Sequence, residues 1–415
     1  MTTNAFSKLL MMLKVYPRLE LDIRFSDIIL NLLSFLTIAD REKETHKIQS
    51  FWQTEKEVIV TLSVRTSLDL LLQSLNLPAG SEVLMSAVNI RDMVEIVKRH
   101  GLIPVPVDIS LDTLASSLEL LENLISERSR LFIIAHLFGT INNLDPYAKL
   151  CRKHNIILIE DCAQAFAGSK YYGYPDADIS FFSFGAIKSC TALGGAVALV
   201  GDKQLARKIK SIEQQYPVKS ETWFFKRLLK YLGLKLFSIP LIYGTLIACL
   251  KLLNQDVDRV INSLTRGFSP GDILTNIRYR PPRKMLSLLN ERLRTCSNHH
   301  FEQRQLNGQR FLSLLRPEII CSGRQAEYHS FWVFPILVPN PELLMTQLRE
   351  NGFDTTRGTT SLTCIDYSHD KNQLPVVVHP LQGKRLIEQV LYLPVAASFS
   401  DQDLQDLADL VNQFV

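Results

Sequence analysis

The chain has 415 residues, 46% of them hydrophobic and 21% charged, which is enough apolar material for a large and a small domain and too much for a disordered chain. The net charge of +4 is mild and no basic run carries interleaved aromatics, so nucleic acid is not an expected partner. Seven cysteines are scattered, odd in number and without metal-ligand pairs; neither a metal centre nor a full disulfide framework is expected, and a reducing cytoplasm is the natural compartment.

Residues 1–50 read as an N-terminal arm with amphipathic stretches at Phe6–Leu13 and Ile28–Ile38, separated by Tyr16-Pro17. Lys8, Met11-Met12 and Lys14 superficially suggest a targeting signal, but no small-residue cleavage site follows a short apolar core. The arm is therefore expected to stay and to pack on the body or on a partner subunit.

Residues 51–219 alternate strand-like runs with helical patterns, the former including Val58–Thr61, Val83–Met85, Pro104–Val107 and Leu131–Ile134. That alternation predicts an α/β domain, a mainly parallel sheet covered by helices. Thr66 and Ser67 precede Leu68-Asp69-Leu70-Leu71-Leu72 and read as the cap of a helix whose N-terminal amides attract a phosphate, with Arg65 adding charge. The plain alternative is an ordinary capped helix.

The densest stretch is Ile156 to Val200. Ile156-Ile157-Leu158-Ile159 has the pattern of a strand buried on both faces, and ligands of such sheets bind at the carboxyl ends of the strands. Asp161 falls at that end. A carboxylate there could keep a pyridine nitrogen protonated, and a nearby lysine could bond to the aldehyde of pyridoxal phosphate. Lys188 is the candidate amine. It follows the apolar run Ser180-Phe181-Phe182-Ser183-Phe184, whose Ser183 hydroxyl could bond a phosphate. Gly194-Gly195 would let the backbone pass close to the cofactor or turn sharply into a strand at Ala196–Val200. Taken singly, each feature has a bland reading: a strand end, a solvated lysine, a turn. Cys162 and Cys190 flank the candidate site and read as core thiols.

Residues 220–270 read as an apolar helical insertion. Tyr231–Leu253 is 23 residues long with only Lys235 and Lys251 charged, Pro240 in its middle and Lys226, Arg227 and Lys230 before it. About 20 apolar residues suffice to span a bilayer, yet a single crossing would separate the two halves of the body. A Pro240-broken hairpin that touches an anionic membrane surface through 226–253, a subunit contact and a buried insertion are the alternatives.

Residues 271–415 read as a connecting helix over Met285–Leu315 and a small C-terminal α+β domain with a strand at Phe331–Val338 and a helix ending at Gly352. His329 and Arg357 are candidates to meet a substrate carboxylate or hydroxyl, with structural roles the plainer reading. His299-His300 has no matching ligand cluster and reads as surface or packing.

The order Ile159-Glu160-Asp161-Cys162-Ala163-Gln164 and then Ala177 through Lys188 to Leu199 resembles the DegT-type sugar aminotransferases, pyridoxal phosphate enzymes of the aspartate aminotransferase fold. The resemblance extends upstream through Thr66-Ser67-Leu68, Ala79–Val83, Gly101–Asp108 and Ala135–Gly139, and is strong over about residues 58–200. It implies Lys188 as Schiff-base lysine and proton shuttle, Asp161 as partner of the pyridine nitrogen, Gln164 against the ring hydroxyl face, and Ser183, Thr66 and Ser67 as phosphate ligands. Arg278, in Arg278-Tyr279-Arg280, stands where the family has an asparagine that reaches the phosphate across a dimer interface. Three further departures stand out. Ser63-Val64-Arg65-Thr66 replaces a Ser-Gly-Thr turn, no aromatic occurs in Ser86–Arg91 to stack on the ring, and Ala192-Leu193-Gly194-Gly195 is one residue shorter than the family segment and has lost its acid.

The resemblance implies a homodimeric aminotransferase that moves an amino group, with glutamate as donor, to a keto sugar linked to a nucleotide, cytoplasmic and peripheral to the membrane if 226–253 touches it. Another pyridoxal phosphate reaction such as dehydration, or a non-catalytic membrane-associated scaffold that keeps the fold, are the rival readings.

Overall fold

Short runs of β-branched and aromatic residues build the centre of the molecule. A computed structural model describes residues 14–18, 20–37, 39–265, 272–358, 361–366 and 379–415, excepting the side chains of 262–265; the expected Phe6–Leu13 stretch lies outside the described residues. The strands are β1 (Glu57–Thr61), β2 (Glu82–Ser86), β3 (Val88–Ile90), β4 (Ile103–Val107), β5 (Ser129–Ala135), β6 (Thr140–Ile141), β7 (Ile157–Asp161), β8 (Ile179–Ser183) and β9 (Ala196–Val200). Seven of them form one sheet in the order β1-β9-β8-β7-β5-β2-β4. β4, β2, β5, β7 and β8 run parallel, whereas β9 is antiparallel to both β8 and β1. This is the mainly parallel, helix-covered sheet that the alternation predicts, and its carboxyl edge brings Ala135 beside Asp161 and Asp161 beside Phe181.

Each face of the sheet is buried by its own cluster. Phe182 and Phe184 pack with Trp52, Phe166 and Phe301 on one side, and Val83, Ile133, Ile159 and Phe181 pack against the helix Val64–Leu75 on the other. A buried phenylalanine of this kind contributes about 3–5 kcal/mol relative to alanine. Gly194 and Gly195 make the sharp turn into β9. Gly195 has φ +89°, in the left-handed region, and a Cβ on Gly194 would sit 2.5 Å from Met285 Cε.

The later strands are β10 (Ile320–Cys321), β11 (Tyr328–His329), β12 (Phe334–Leu337), β13 (Leu362–Cys364) and β14 (Val390–Leu393). β10, β12 and β14 form an antiparallel sheet that packs against the helices Pro341–Glu350 and Asp401–Phe414 through Phe334, Ile336, Leu344, Leu391 and Leu407. The strand expected over Phe331–Val338 is thus confined to Phe334–Leu337. The single helix expected over Met285–Leu315 is two, Arg283–Thr295 and Asn298–Leu314. Cys296 leaves helical geometry at ψ 110° and Ser297 follows at φ −86°, ψ 125°, so the leucine spacing runs on while the backbone breaks.

Residues 14–18 and 20–36 lie on the body. Ile23 and Ile28 are buried, the helix Phe25–Leu33 packs on the helix Glu221–Leu236, and Arg18 pairs with Asp354 at 2.7 Å and with Asp258 at 2.7 Å. The apolar stretch splits as Pro240 dictates, since proline is accommodated in the first turn of a helix and not in its interior. Helices Glu221–Leu236 and Pro240–Leu252 meet at 91°, and among the described residues no single helix is long and apolar enough to cross a membrane.

Candidate functional site

Asp161 is the last residue of β7 and is buried to 7% exposure. Its Oδ1 accepts the amide of Ala163 at 2.9 Å. Burial raises its pKa, opposed by that amide and by the positive charges of Lys188, His136 and Arg65. The counterpart is Lys188, half-buried in the loop after β8. Desolvation lowers the pKa of its amine to about 8, with Asp161 pulling it back up and Arg65 pushing it further down. The two groups that the sequence singles out therefore sense each other across one low-dielectric pocket. At neutral pH this amine is close to its titration point, which an ordinary lysine is not.

The lysine loop is held rigidly, by residues the sequence reading missed. Lys188 Nζ lies 4.4 Å from the ring centroid of Trp332, and the Trp332 indole N–H donates to the Ile187 carbonyl at 2.9 Å. Arg304 donates to Ser189 Oγ at 3.0 Å. The Cys190 amide donates to Asp22 Oδ2 at 2.9 Å. Arg292 spans Asp22 (3.1 Å), Asp27 (2.7 Å) and the Thr191 carbonyl (3.2 Å). None of these had a local signal, because each joins segments more than 100 residues apart. A cavity of about 820 Å³ reaches Lys188 from this side and is also lined by Arg18, Lys235, Arg292 and Trp332.

Gln164 lies beside Asp161, with its carboxamide oxygen accepting the Phe138 amide at 2.8 Å; Phe138 has φ +58°, so this bond supports a strained turn at the end of β5. Ser183 ends β8, its hydroxyl within 3.4 Å of the Gly185 amide. In the segment with no aromatic stacker, Asn89 is buried and its Nδ2 has no partner.

The phosphate-side residues are placed differently from the expectation. The cap of the helix Val64–Leu75 is Ser63, whose Oγ accepts the Thr66 amide at 3.2 Å. Thr66 and Ser67 are therefore not caps; they sit inside the first turn. The Thr66 hydroxyl donates to the Ile277 carbonyl at 2.9 Å, and Ser67 Oγ lies 2.8 Å from Thr61 Oγ1. Local apolar periodicity starts at Leu68 and hides the turn before it, which Val64 and Arg65 complete. Arg65 pairs with Asp92 at 2.5 Å. Arg278 is forked onto Asp69, with Nε and Nη2 each 3.0 Å from a carboxylate oxygen, and His100 and Tyr216 join the same carboxylate at 2.9 and 2.7 Å. Within one chain this arginine is held to the helix, not directed at Lys188. His329 is buried and stacked on Phe331 with ring centroids 4.1 Å apart, its pKa lowered to about 3 by burial. Arg357 donates to Glu342 and to the carbonyls of Ile387 and Glu388.

Behind Asp161 lies a polar cluster that the sequence did not announce. Glu160 is fully buried, 2.8 Å from His136 Nε2, and accepts the Tyr171 hydroxyl and the Tyr174 amide. Burial alone would raise its pKa, but these partners bring it down to about 2. A carboxylate depressed in the fold stabilises it above the unfolded pKa of about 4.5 and loses that contribution as pH falls towards 2. We expect the melting temperature to drop between pH 4.5 and 2 and the drop to flatten in Glu160→Gln, as thermal melts across that range will measure.

A sequence model of the DegT/DnrJ/EryC1/StrS aminotransferase family matches residues 42–235. The match spans 194 of the 415 residues and makes this segment similar to that family. The UDP-4-amino-4-deoxy-L-arabinose–oxoglutarate aminotransferase of Shewanella sediminis (strain HAW-EB3) is 33% identical over 157 residues, which are 37% of this chain and 40% of that protein. The GDP-perosamine synthase of Escherichia coli O157:H7 is 32% identical over 157 residues, 37% of this chain and 43% of its own. The chain thus aligns with about two-fifths of the length of these curated relatives. Among solved structures, Helicobacter pylori PseC, an aminotransferase involved in the biosynthesis of pseudoaminic acid, superposes with a TM-score of 0.71 at 17% identity, covering 96% of this chain and 99% of its own. Streptococcus pneumoniae Spr1654, solved in a PMP form, gives 0.68 at 17%, covering 96% and 98%. At that identity the likeness is one of fold, and it extends from the DegT/DnrJ/EryC1/StrS segment through the C-terminal sheet.

Proposed function

We propose that the protein is a pyridoxal phosphate-dependent aminotransferase that passes an amino group, with glutamate as donor, to a nucleotide-linked keto sugar, and that it works as a homodimer in a reducing cytoplasm. The observation that carries this reading is the pairing of Asp161, buried at a strand end, with Lys188, an amine whose pKa is lowered to about 8. The segment that contains the pair is the one that matches the aminotransferase family model.

The residues suit the cofactor. Asp161 would hold a protonated ring nitrogen, Gln164 would lie along the ring, and Asn89, with its unpartnered Nδ2, would cover it where an aromatic is missing. Ser183 and the amides that open the helix Val64–Leu75 would take the phosphate. Thr66 and Ser67 would contribute through position in that turn, since their hydroxyls already have protein partners. Arg278 would reach a phosphate only by leaving Asp69, for instance towards a second subunit. When bound, pyridoxal phosphate supplies an aldehyde for amine exchange and an electron sink for the carbanion left when the α-proton departs. Lys188, as the free amine, would take that proton and deliver it to the aldehyde-derived carbon of the cofactor, and would run the same transfer in reverse for the acceptor sugar. Trp332 packs on the amine side chain.

The test is product analysis: full-length protein, pyridoxal phosphate, glutamate and a nucleotide-linked 4-keto sugar. We expect 2-oxoglutarate and an amino sugar in equal amounts. A dehydrated sugar would favour elimination, and failure to bind the cofactor at all would favour the scaffold reading.

A further inference from the structure

The helices Glu221–Leu236 and Pro240–Leu252 are apolar on two sides. Their inner sides are already buried, through Phe224, Leu228 and Tyr231 in the first and Tyr243, Ile247 and Leu250 in the second. Their outer sides are apolar too. Phe225, Leu229 and Leu236 stand 36–48% exposed at helical spacing on the first helix, and Leu241 and Ile242 stand 40% and 38% exposed on the second. A globular helix ordinarily turns a polar face outward.

This surface continues into the N-terminal segment. Phe35 meets Phe225 edge to face, with ring centroids 5.1 Å apart, and the neighbouring Leu30, Leu33 and Leu36 are 57–88% exposed. Contiguous apolar exposure drawn from three elements marks an interaction site rather than scattered surface leucines.

Charge decides the occupant. Residues 222–255 include five lysines and arginines and not one aspartate or glutamate. Two of the five are used internally: Lys235 donates to the Leu21 carbonyl at 2.8 Å, and Arg227 donates to the Leu193 carbonyl. Lys226, Lys230 and Lys251 are exposed among the outward leucines. A second copy docked on the same face by a twofold would set these lysines against each other with no acid from this stretch to pair them. A surface of anionic lipid meets both features at once, taking the apolar side chains into its headgroup boundary and the lysines among its phosphates.

We propose that the surface formed by the helices Phe25–Leu33, Glu221–Leu236 and Pro240–Leu252 docks the protein peripherally on an anionic membrane. The last two helices meet at 91° and each keeps its inner side buried in the body, which suits lying on a bilayer rather than crossing it. Lys235, Ser238 and Pro240, at their junction, also line the cavity that reaches Lys188, so the docking helices and the candidate site share a wall. The proposal rests on this surface and not on the amine-transfer reading, and loss of cofactor binding would leave it standing.

The experiment is co-sedimentation of the full-length protein with vesicles of phosphatidylcholine alone and with about a third phosphatidylglycerol. We expect the protein to pellet with the anionic vesicles and to be released by 0.5 M salt, as screening requires. Lys226→Glu/Lys230→Glu and Leu241→Asp/Ile242→Asp should each weaken anionic-vesicle binding by about tenfold or more. All four positions are exposed or lie at the surface of the pair, so unchanged thermal melts will separate lost docking from lost folding. No binding to either vesicle, or binding that neither double variant weakens, overturns the proposal. So does light scattering that shows a dimer dissociated by Leu241→Asp/Ile242→Asp with no vesicle binding in the parent protein, which assigns the face to a second copy.

Discussion

Replacing Lys188 by alanine is expected to abolish amine transfer, by about 10⁴-fold or more, since one side chain would supply both the covalent attachment and the proton transfer. At pH 7.5 an amine titrating at about 8 is roughly one quarter neutral, against about one in a thousand for an ordinary lysine. The lowered pKa is thus what makes the free amine available. The absorbance band of the lysine-bound cofactor should vanish in the variant; a band that persists would assign the attachment to another amine. Stability provides an independent readout. Below about pH 8 the folded apoprotein holds a desolvated ammonium at a cost, and between about 8 and 10.5 only the unfolded chain still binds that proton, so stability rises with pH across this window. Lys188→Ala should remove that rise, and apoprotein melts from pH 7 to 10.5 will measure it.

The second large effect is expected from Asp161→Asn. The amide keeps the shape and can still accept the Ala163 amide, but it carries no charge to hold a protonated ring nitrogen. Removing one partner of a buried charge pair costs several kcal/mol, so cofactor affinity should fall by about 100-fold or more. The apoprotein should respond in the opposite direction. Burial raises the Asp161 pKa, so ionising it near neutral pH costs folding free energy, and the asparagine variant should melt no lower than the parent. A higher apo melting temperature together with a smaller rise on adding pyridoxal phosphate would distinguish a cofactor contact from a structural carboxylate. A variant that melts lower with unchanged cofactor affinity would make Asp161 structural.

Much of the site's framework was legible because it is local. Ile156–Ile159 predicts a buried strand, β7 forms there, and Asp161 is its last residue. Ser183 likewise ends β8. Boundaries were less legible where apolar spacing and backbone geometry part company. Leu68 starts the leucine run, yet the helix begins at Val64 under a Ser63 cap; Ser63, three residues before Thr66, was the available signal. Leucine spacing also bridges Cys296-Ser297, where the chain leaves helical geometry and restarts. Least legible were the partners fixed only by tertiary structure. Arg278 could as well have faced an anion as Asp69, and nothing near Trp332 points to a lysine more than 140 residues earlier.

Asp22 is held by the Arg292 guanidinium and in turn holds the Cys190 amide, two residues after Lys188. Three parts of the chain must therefore be present before the lysine loop has its full set of restraints. During synthesis the arm precedes the sheet strands and can dock on the helix Glu221–Leu236 once that is out, but Asp22 has no guanidinium to hold it until the helix Arg283–Thr295 leaves the ribosome. The central sheet can form while the lysine loop is still loose, and a nascent chain stopped before residue 292 would carry the site's residues without their clamp. Completion of the reactive centre is in this sense one of the last events in the biogenesis of the fold, governed by a contact that closes a loop of 270 residues.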